Sequence, residues 1–308
     1  MSINDAVAEV SAGAGVEMST DDELAAVFTG AGVEGWLHAR DVDTGREIGY
    51  GAGEPVVIAS IVKILIVLEF ARQVSTGTLD PAERVVVRTG DRLGGWGTAG
   101  CVDDVELSLR DLAYFTMSVS DNTAADVLLD RVGPDVVPLL AAELGLHRTR
   151  IAGGPRQLLE SMFDDVGARD AAEFGRVFPT LPPSRVRALR VFDPARTTSS
   201  TPEEMTRLLG LIWRDEAGPA EACAAVRGLM FRQLFRTRLA AGFPADVRVA
   251  GKTGTLPGHA MEAGVVEFPD GGRFAVAAFV RSAAAPGVLD ATLATAASTA
   301  VERLRDLR

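Results

Sequence analysis

Lysine is nearly missing from this sequence. Of 31 basic residues only two are lysine, Lys63 and Lys252, and the other 29 are arginine. Wherever a cation solvates the surface or pairs with a carboxylate, the chain uses arginine. The two retained lysines raise the question of what an arginine could not do there, with chance survival as the plain alternative, which their surroundings disfavour. A buried or crowded lysine can lose its proton, and an arginine effectively cannot. Cysteine is equally scarce: Cys101 and Cys223 are too few and too far apart for a disulfide framework or a thiolate metal site. The three histidines, His38, His147 and His259, follow no ligand spacing, so neither a metal nor a cofactor is expected. No block of like charge stands out, and the net charge of -11 argues against electrostatic binding to nucleic acid or an anionic membrane. The longest apolar stretch, Val56 to Phe70, contains Lys63 and Glu69 and is too short to cross a bilayer, which leaves a buried helix as its reading. The opening residues, MSINDAVAEVSAGAGVEMSTDDE, have neither a basic start nor an apolar run. No secretory signal is expected there, and the expected location is the cytoplasm. No internal repeat or low-complexity linker interrupts the chain.

What remains is an ordinary soluble composition, 47% hydrophobic and 24% charged over 308 residues. Trp36 to Val42 and Arg46 to Tyr50 flank Asp43-Thr44-Gly45 and predict a hairpin. Helical periodicity then dominates from about residue 60 to residue 240. Leu109 to Met117 and Thr123 to Arg131 read as helices on either side of Ser120, and Thr201 with Glu204 reads as a capping box opening a further helix. Strands return at Val247 to Lys252, Glu262 to Phe268 and Arg273 to Val280, with a turn at Pro269-Asp270-Gly271-Gly272. A last helix spans about Leu289 to Leu307. The expected class is therefore α/β (α+β): an antiparallel sheet built from both termini, flanked by helices, with an inserted all-helical domain. The expected boundaries are residues 1–57 and 246–308 for the discontinuous sheet domain and 58–245 for the helical one. Such an arrangement leaves a cleft between the two.

Three short motifs carry chemistry. Ser60-Ile61-Val62-Lys63 opens the apolar stretch, and on a helix Ser60 and Lys63 share a face. The positive end of that helix and burial both disfavour a charged amine, and a neutral amine can take the serine proton. A solvent-facing lysine on an ordinary helix is the plain alternative, awkward amid so many apolar neighbours. Ser120-Asp121-Asn122 lies between two helices, where a hydroxyl can relay a proton and an amide can donate and accept; a simple helix N-cap explains the same residues. Lys252-Thr253-Gly254-Thr255 falls at the end of a predicted strand. There a strand edge can meet an extended substrate, Gly254 permits close approach, and Thr253 can bind a carboxylate. As a like charge, Lys252 would help depress Lys63. A turn with a surface lysine is the alternative.

In this order the three motifs resemble those of class A β-lactamases and penicillin-binding proteins. Leu37 to Gly45 resembles that family's first hairpin, and Thr197 to Pro202 resembles its segment after the Ω-loop, so the resemblance runs over roughly residues 23 to 306. It implies the β-lactamase/transpeptidase-like fold and an acyl-enzyme on Ser60, with Lys63 and Ser120 as the other catalytic residues. It also implies a small-molecule substrate held by Asn122, Lys252, Thr253, Gly254 and Thr255, and an oxyanion hole from the backbone N–H groups of Ser60 and Thr255. The expected reaction is hydrolysis of a β-lactam or related amide. An intracellular esterase, amidase or acyltransferase on the same fold is the alternative. A Ser-His-Asp hydrolase is disfavoured, because no Gly-x-Ser-x-Gly occurs. A non-catalytic sensor is disfavoured by the retained lysines.

The sequence departs from class A in the Ω-loop. Where that family has Glu-x-x-x-Asn, this chain has Glu160-Ser161-Met162-Phe163-Asp164, followed by a long stretch to Arg196. Glu160 is either the counterpart of the family's water-activating glutamate or an acid on a helix surface. Leu158-Leu159 and Met162-Phe163 favour the amphipathic helix and thus the surface position. Trp96, in Gly94-Gly95-Trp96-Gly97, is a candidate gate, although exposed loop aromatics are common.

Overall fold

A computed structural model describes residues 19–308. Most of the opening segment read above for a secretory signal lies outside those residues. Ser19 caps helix α1 (Thr20–Gly30) by accepting the Asp22 N–H. The expected hairpin follows as β1 (Glu34–Asp41) and β2 (Glu47–Tyr50). Its turn is held by the Asp41 carboxylate, which accepts the N–H groups of Asp43 and Thr44, and Gly45 supplies the left-handed residue at φ +75°.

The apolar stretch from Val56 is not one helix. It divides into a two-residue strand β3 (Val56–Val57), a 3-10 turn (Ala59–Val62) and helix α2 (Lys63–Ser75). A continuous apolar run says that its residues are buried, and does not distinguish strand from helix. Helical periodicity is next interrupted by the antiparallel pair β4 (Arg84–Val87) and β5 (Val105–Ser108). Helices α3 (Leu109–Ser118), α4 (Asn122–Val132), α5 (Val136–Glu143), α6 (Pro155–Val166), α7 (Ala171–Val177) and α8 (Pro183–Arg187) come next. Strand β6 (Ser199–Ser200) returns to pair with β3.

Helix α9 (Pro202–Trp213) begins at the expected cap, with Thr201 Oγ1 accepting the Glu204 N–H at 3.2 Å. The reciprocal arm of a capping box is replaced. The nearly buried Glu204 carboxylate instead accepts from Arg148 N and Thr149 Oγ1, at 2.8 and 2.6 Å, and so ties the 148–149 loop to the helix start. After α10 (Ala220–Met230) the chain forms β7 (Arg248–Leu256), β8 (His259–Glu267) and β9 (Arg273–Arg281), then α11 (Pro286–Asp306).

The main sheet is antiparallel in the order β2-β1-β9-β8-β7, so the two ends of the chain meet at its centre and β7 is left as an edge. Strand β9 shows why its sequence is apolar without alternation. Phe274, Val276, Ala278 and Val280 pack with α1 and α11 on one face, while Ala275, Ala277 and Phe279 join the larger core on the other. That larger core surrounds α2, whose first nine residues, Lys63 to Ala71, are all buried. No helix among the described residues is long and apolar enough to cross a membrane.

Candidate active site

The site is built where the 3-10 turn, the α3–α4 junction and edge strand β7 converge. Ser60 is the half-buried second residue of the turn, and Lys63, fully buried, begins α2. A three-residue spacing in a 3-10 turn nearly eclipses the two side chains, so they still face the same way without a shared α-helix. Ala59, just before the serine, is held at φ +42°.

Lys63 Nζ donates to Ser120 O at 2.7 Å, Ser120 Oγ at 3.2 Å and Asn122 Oδ1 at 2.8 Å. Those three acceptors match the three N–H bonds of an ammonium. No described side chain hydrogen-bonds the Ser60 hydroxyl. Lys252 Nζ reaches the same serine from the opposite side, donating to Ser120 Oγ at 2.9 Å and to Thr253 O at 2.8 Å. Ser120 therefore accepts from both lysines, and its own O–H is left for a third partner. Its backbone is left-handed at φ +59°, a strained conformation for a serine, and the strain turns the hydroxyl between the two amines.

The N-cap explanation of Ser120-Asp121-Asn122 accounts for only one of its residues. Asp121, fully buried, accepts the Ala124 N–H at 3.0 Å and the Thr98 N–H at 2.6 Å. Ser120 and Asn122 are thereby free to meet the lysines.

Burial brings the Lys63 amine down to about 7, although the carboxylates of Asp121 and Asp126 work against that shift. Lys252 lies well below the usual lysine range, first through burial and then through the like charge of Lys63. The repulsion between the two amines is mutual, and it adds to burial at Lys252, while the Asp121 and Asp126 carboxylates support the charge of Lys63. Asp126 is itself raised to about 6, chiefly by burial.

Lys252-Thr253-Gly254-Thr255 lies inside β7, not at its end. The strand continues to Leu256 because the tight Pro257-Gly258 turn carries it straight into β8. Gly254 does permit a close approach, but of the protein to itself. A Cβ there would lie 2.7 Å from Met261 Cγ and 2.9 Å from the Ile58 carbonyl oxygen, so glycine lets the segment leading into Ser60 seat against β7.

Sequence reasoning missed the supports behind this strand. Gln233 Oε1 accepts the Thr253 N–H at 2.7 Å, and its Nε2 donates to Glu262 Oε1 at 2.7 Å. Glu262 Oε2 accepts the Leu239 N–H at 2.9 Å, completing a buried relay. Arg238 donates to Gly254 O, Met261 O and Thr255 Oγ1 and pairs with Asp290 at 2.7 Å. The one sequence signal for any of these is Glu262, a lone carboxylate in the otherwise apolar run from Ala260 to Val266. Glu262→Gln places an amide where both oxygens now accept, leaving one N–H facing a donor. It should cost about 1–3 kcal/mol, read as a lower urea midpoint at unchanged slope.

The cleft has two lobes that share Ser60, Asn122 and Thr255. The first, about 190 Å³, is walled by Pro155, Leu158, Leu159 and Met162 of α6. The second, about 340 Å³, carries Trp96, Phe235, Arg238 and Asp290 together with Ser120 and Thr253. Trp96 is 65% exposed and lies at the rim, 6.2 Å from Phe235. Glu160 is exposed and lines neither lobe, and among the described residues no carboxylate lines the first. Asp164 is likewise exposed and pairs with Arg190. No group of three or more His, Cys, Asp or Glu among the described residues is placed to hold a metal ion.

Comparison with known proteins identifies the family and the fold. The sequence model of the beta-lactamase enzyme family matches residues 19–304. The chain is 30% identical over 287 residues to the beta-lactamase regulatory protein BlaB of Streptomyces cacaoi, covering 87% of this chain and 91% of that protein. It is 29% identical over 223 residues to a beta-lactamase of Streptomyces fradiae, covering 70% of this chain and 63% of that one. Among solved structures it resembles a beta-lactamase from Sphaerobacter thermophilus, with TM-score 0.75, 23% identity and coverage of 93% and 98% of the two chains. A beta-lactamase from Chitinophaga pinensis matches with TM-score 0.76, 19% identity and coverage of 92% and 99%.

Proposed function

The chain belongs to the beta-lactamase enzyme family, and from that premise we propose that it is a serine hydrolase that forms an acyl-enzyme on Ser60. One observation carries the reading. The only two lysines of the chain are both fully buried, and both amines meet on the Ser120 hydroxyl beside Ser60. With its pKa near neutrality, Lys63 spends part of its time as a free amine able to accept the Ser60 proton. Ser60 Oγ then bonds to the carbonyl carbon, and the backbone N–H groups of Ser60 and Thr255 receive the oxyanion. Ser120 passes a proton to the leaving nitrogen as the amide bond breaks, with Lys252 holding its hydroxyl in line. Thr253 and Thr255 offer hydroxyls to a substrate carboxylate at the mouth of the second lobe.

Clearing the acyl group is the slow part of the proposed cycle. Water entering the first lobe meets leucine and methionine walls and no carboxylate to activate it. Incubation with benzylpenicillin should therefore give a single adduct, mapped by peptide mass spectrometry to Ser60 and persisting long after free drug is removed. Glu160→Gln should leave both its formation and its lifetime unchanged. Rapid turnover that vanishes in Glu160→Gln would instead make this an ordinary hydrolytic β-lactamase with Glu160 as base. A second reading, that a lasting acyl-enzyme acts as a signal, is favoured by the same lobe and by the regulatory name of the 30% identical relative. Sustained multiple turnover of any β-lactam would exclude it.

A further inference from the structure

The wall of the first lobe follows from one helix face. Pro155, Leu158, Leu159 and Met162 are spaced at i, i+3, i+4 and i+7 on α6, so they form one apolar stripe facing Ser60. Glu160 falls outside that stripe and is exposed. Val62, Leu256 and Pro257 also line the lobe, while its polar residues, Ser60, Asn122, Thr198 and Thr255, include the three shared with the second lobe. A space of about 190 Å³ corresponds to about six water volumes, yet its α6 wall, Pro155, Leu158, Leu159 and Met162, gives a water no side-chain hydrogen-bond partner. An aliphatic chain suits the space better.

Building on the acyl-enzyme reading, we propose that this lobe is an acyl-chain pocket, that the preferred donors carry a short aliphatic acyl group, and that Leu159 sets its length. The donor's carbonyl sits at Ser60 and its hydrocarbon tail lies along α6. Its leaving group lies in the more polar second lobe, beside Ser120, Thr253, Trp96 and Phe235. Ser60 Oγ forms the new ester bond and the bond to the leaving alcohol or thiol breaks. The serine proton goes to Lys63 and is returned through Ser120 to the leaving group. Water, or an alcohol acceptor, later cleaves the ester, releases the acyl group and restores the Ser60 hydroxyl. The filled pocket also shields the new ester, which lengthens the life of the adduct.

Leu159 is the residue to vary. Leu158 and Met162 also pack against the main core, whereas Leu159 is a half-buried wall of the lobe. A series of p-nitrophenyl esters from acetate to decanoate would be run against the wild type, Leu159→Ala and Leu159→Trp. The p-nitrophenolate burst gives the acylation rate, and a small fluorophosphonate that does not enter the lobe checks that Ser60 is intact in each variant. Acylation by the wild type should rise about fourfold per added methylene, peak near butyrate to hexanoate and then fall. Leu159→Ala should move the peak to longer chains and Leu159→Trp to shorter ones. A flat or falling series on a Ser60 that still takes the fluorophosphonate would overturn the pocket and leave the acyl-enzyme reading in place, as would a peak that neither variant moves. Failure of esters, β-lactams and the fluorophosphonate alike to label Ser60 would overturn that reading, and the pocket with it.

Discussion

Ser60→Ala should take up no penicillin and no fluorophosphonate, and any catalysed turnover should fall by a factor on the order of 10⁴ or more. The effect is that large because every later step needs the bond to Ser60 Oγ. It should also be clean. The Ser60 hydroxyl has no hydrogen-bond partner among the described residues, so its removal orphans no donor or acceptor and stability should stay within about 0.5 kcal/mol of the wild type. Intact-protein mass measurement after incubation, with thermal denaturation alongside, reads both expectations. Labelling at the full wild-type level in Ser60→Ala would show that another residue is the nucleophile.

Lys63→Arg should slow acylation about 100-fold or more, the size expected when a positioned general base is lost. Arginine keeps the positive charge but cannot shed it. The pH dependence separates this role from simple packing. A lysine brought down to about 7 is protonated below that pH and free above it. Wild-type acylation should therefore fall about tenfold per unit on the acid side and level off on the alkaline side. Any residual activity of Lys63→Arg should lack that inflection. Stopped-flow acylation with a chromogenic cephalosporin between pH 5 and 9 would show it. An arginine variant that keeps both the rate and the inflection would make Lys63 a structural cation and assign the base elsewhere.

The parts of the fold that could be read from sequence are those with a local cause. Asp43-Thr44-Gly45 and Pro269 to Gly272 are turns because of their own residues, and the strands beside them follow. The long helices α3, α4, α9 and α11 stand within a few residues of where periodicity puts them. Strands of two to four residues, such as β3, β6, β4 and β5, are too short to show a period at all. The same holds for the boundary between the 3-10 turn and α2, hidden inside one uninterrupted apolar run.

At the site, the residues legible from sequence are the chemically unusual ones: two lysines in an arginine-rich chain, one three residues after a serine and the other between a glycine and a threonine. Gln233, Arg238 and Asp290 are common residue types in unremarkable contexts, and only the meeting of the α10–β7 connection with β7 and α11 gives them work. Glu160 shows the converse. Its exposed position follows from the apolar stripe around it, because a helix face that turns leucines toward the cleft leaves Glu160 off that face.

The burial of both lysines has a consequence for the outside of the molecule. Acyl donors reactive enough to acylate a serine also react, more slowly, with exposed primary amines, and guanidinium groups at neutral pH are not nucleophiles. No lysine side chain of this chain reaches solvent. An acylating agent at high concentration therefore finds no lysine on the surface to modify. Acetylation, glycation and carbamylation of side-chain amines find no exposed target either. A stoichiometric acyl adduct on a lysine would have to arise at one of two buried amines beside Ser120, so lysine modification reports on the cleft.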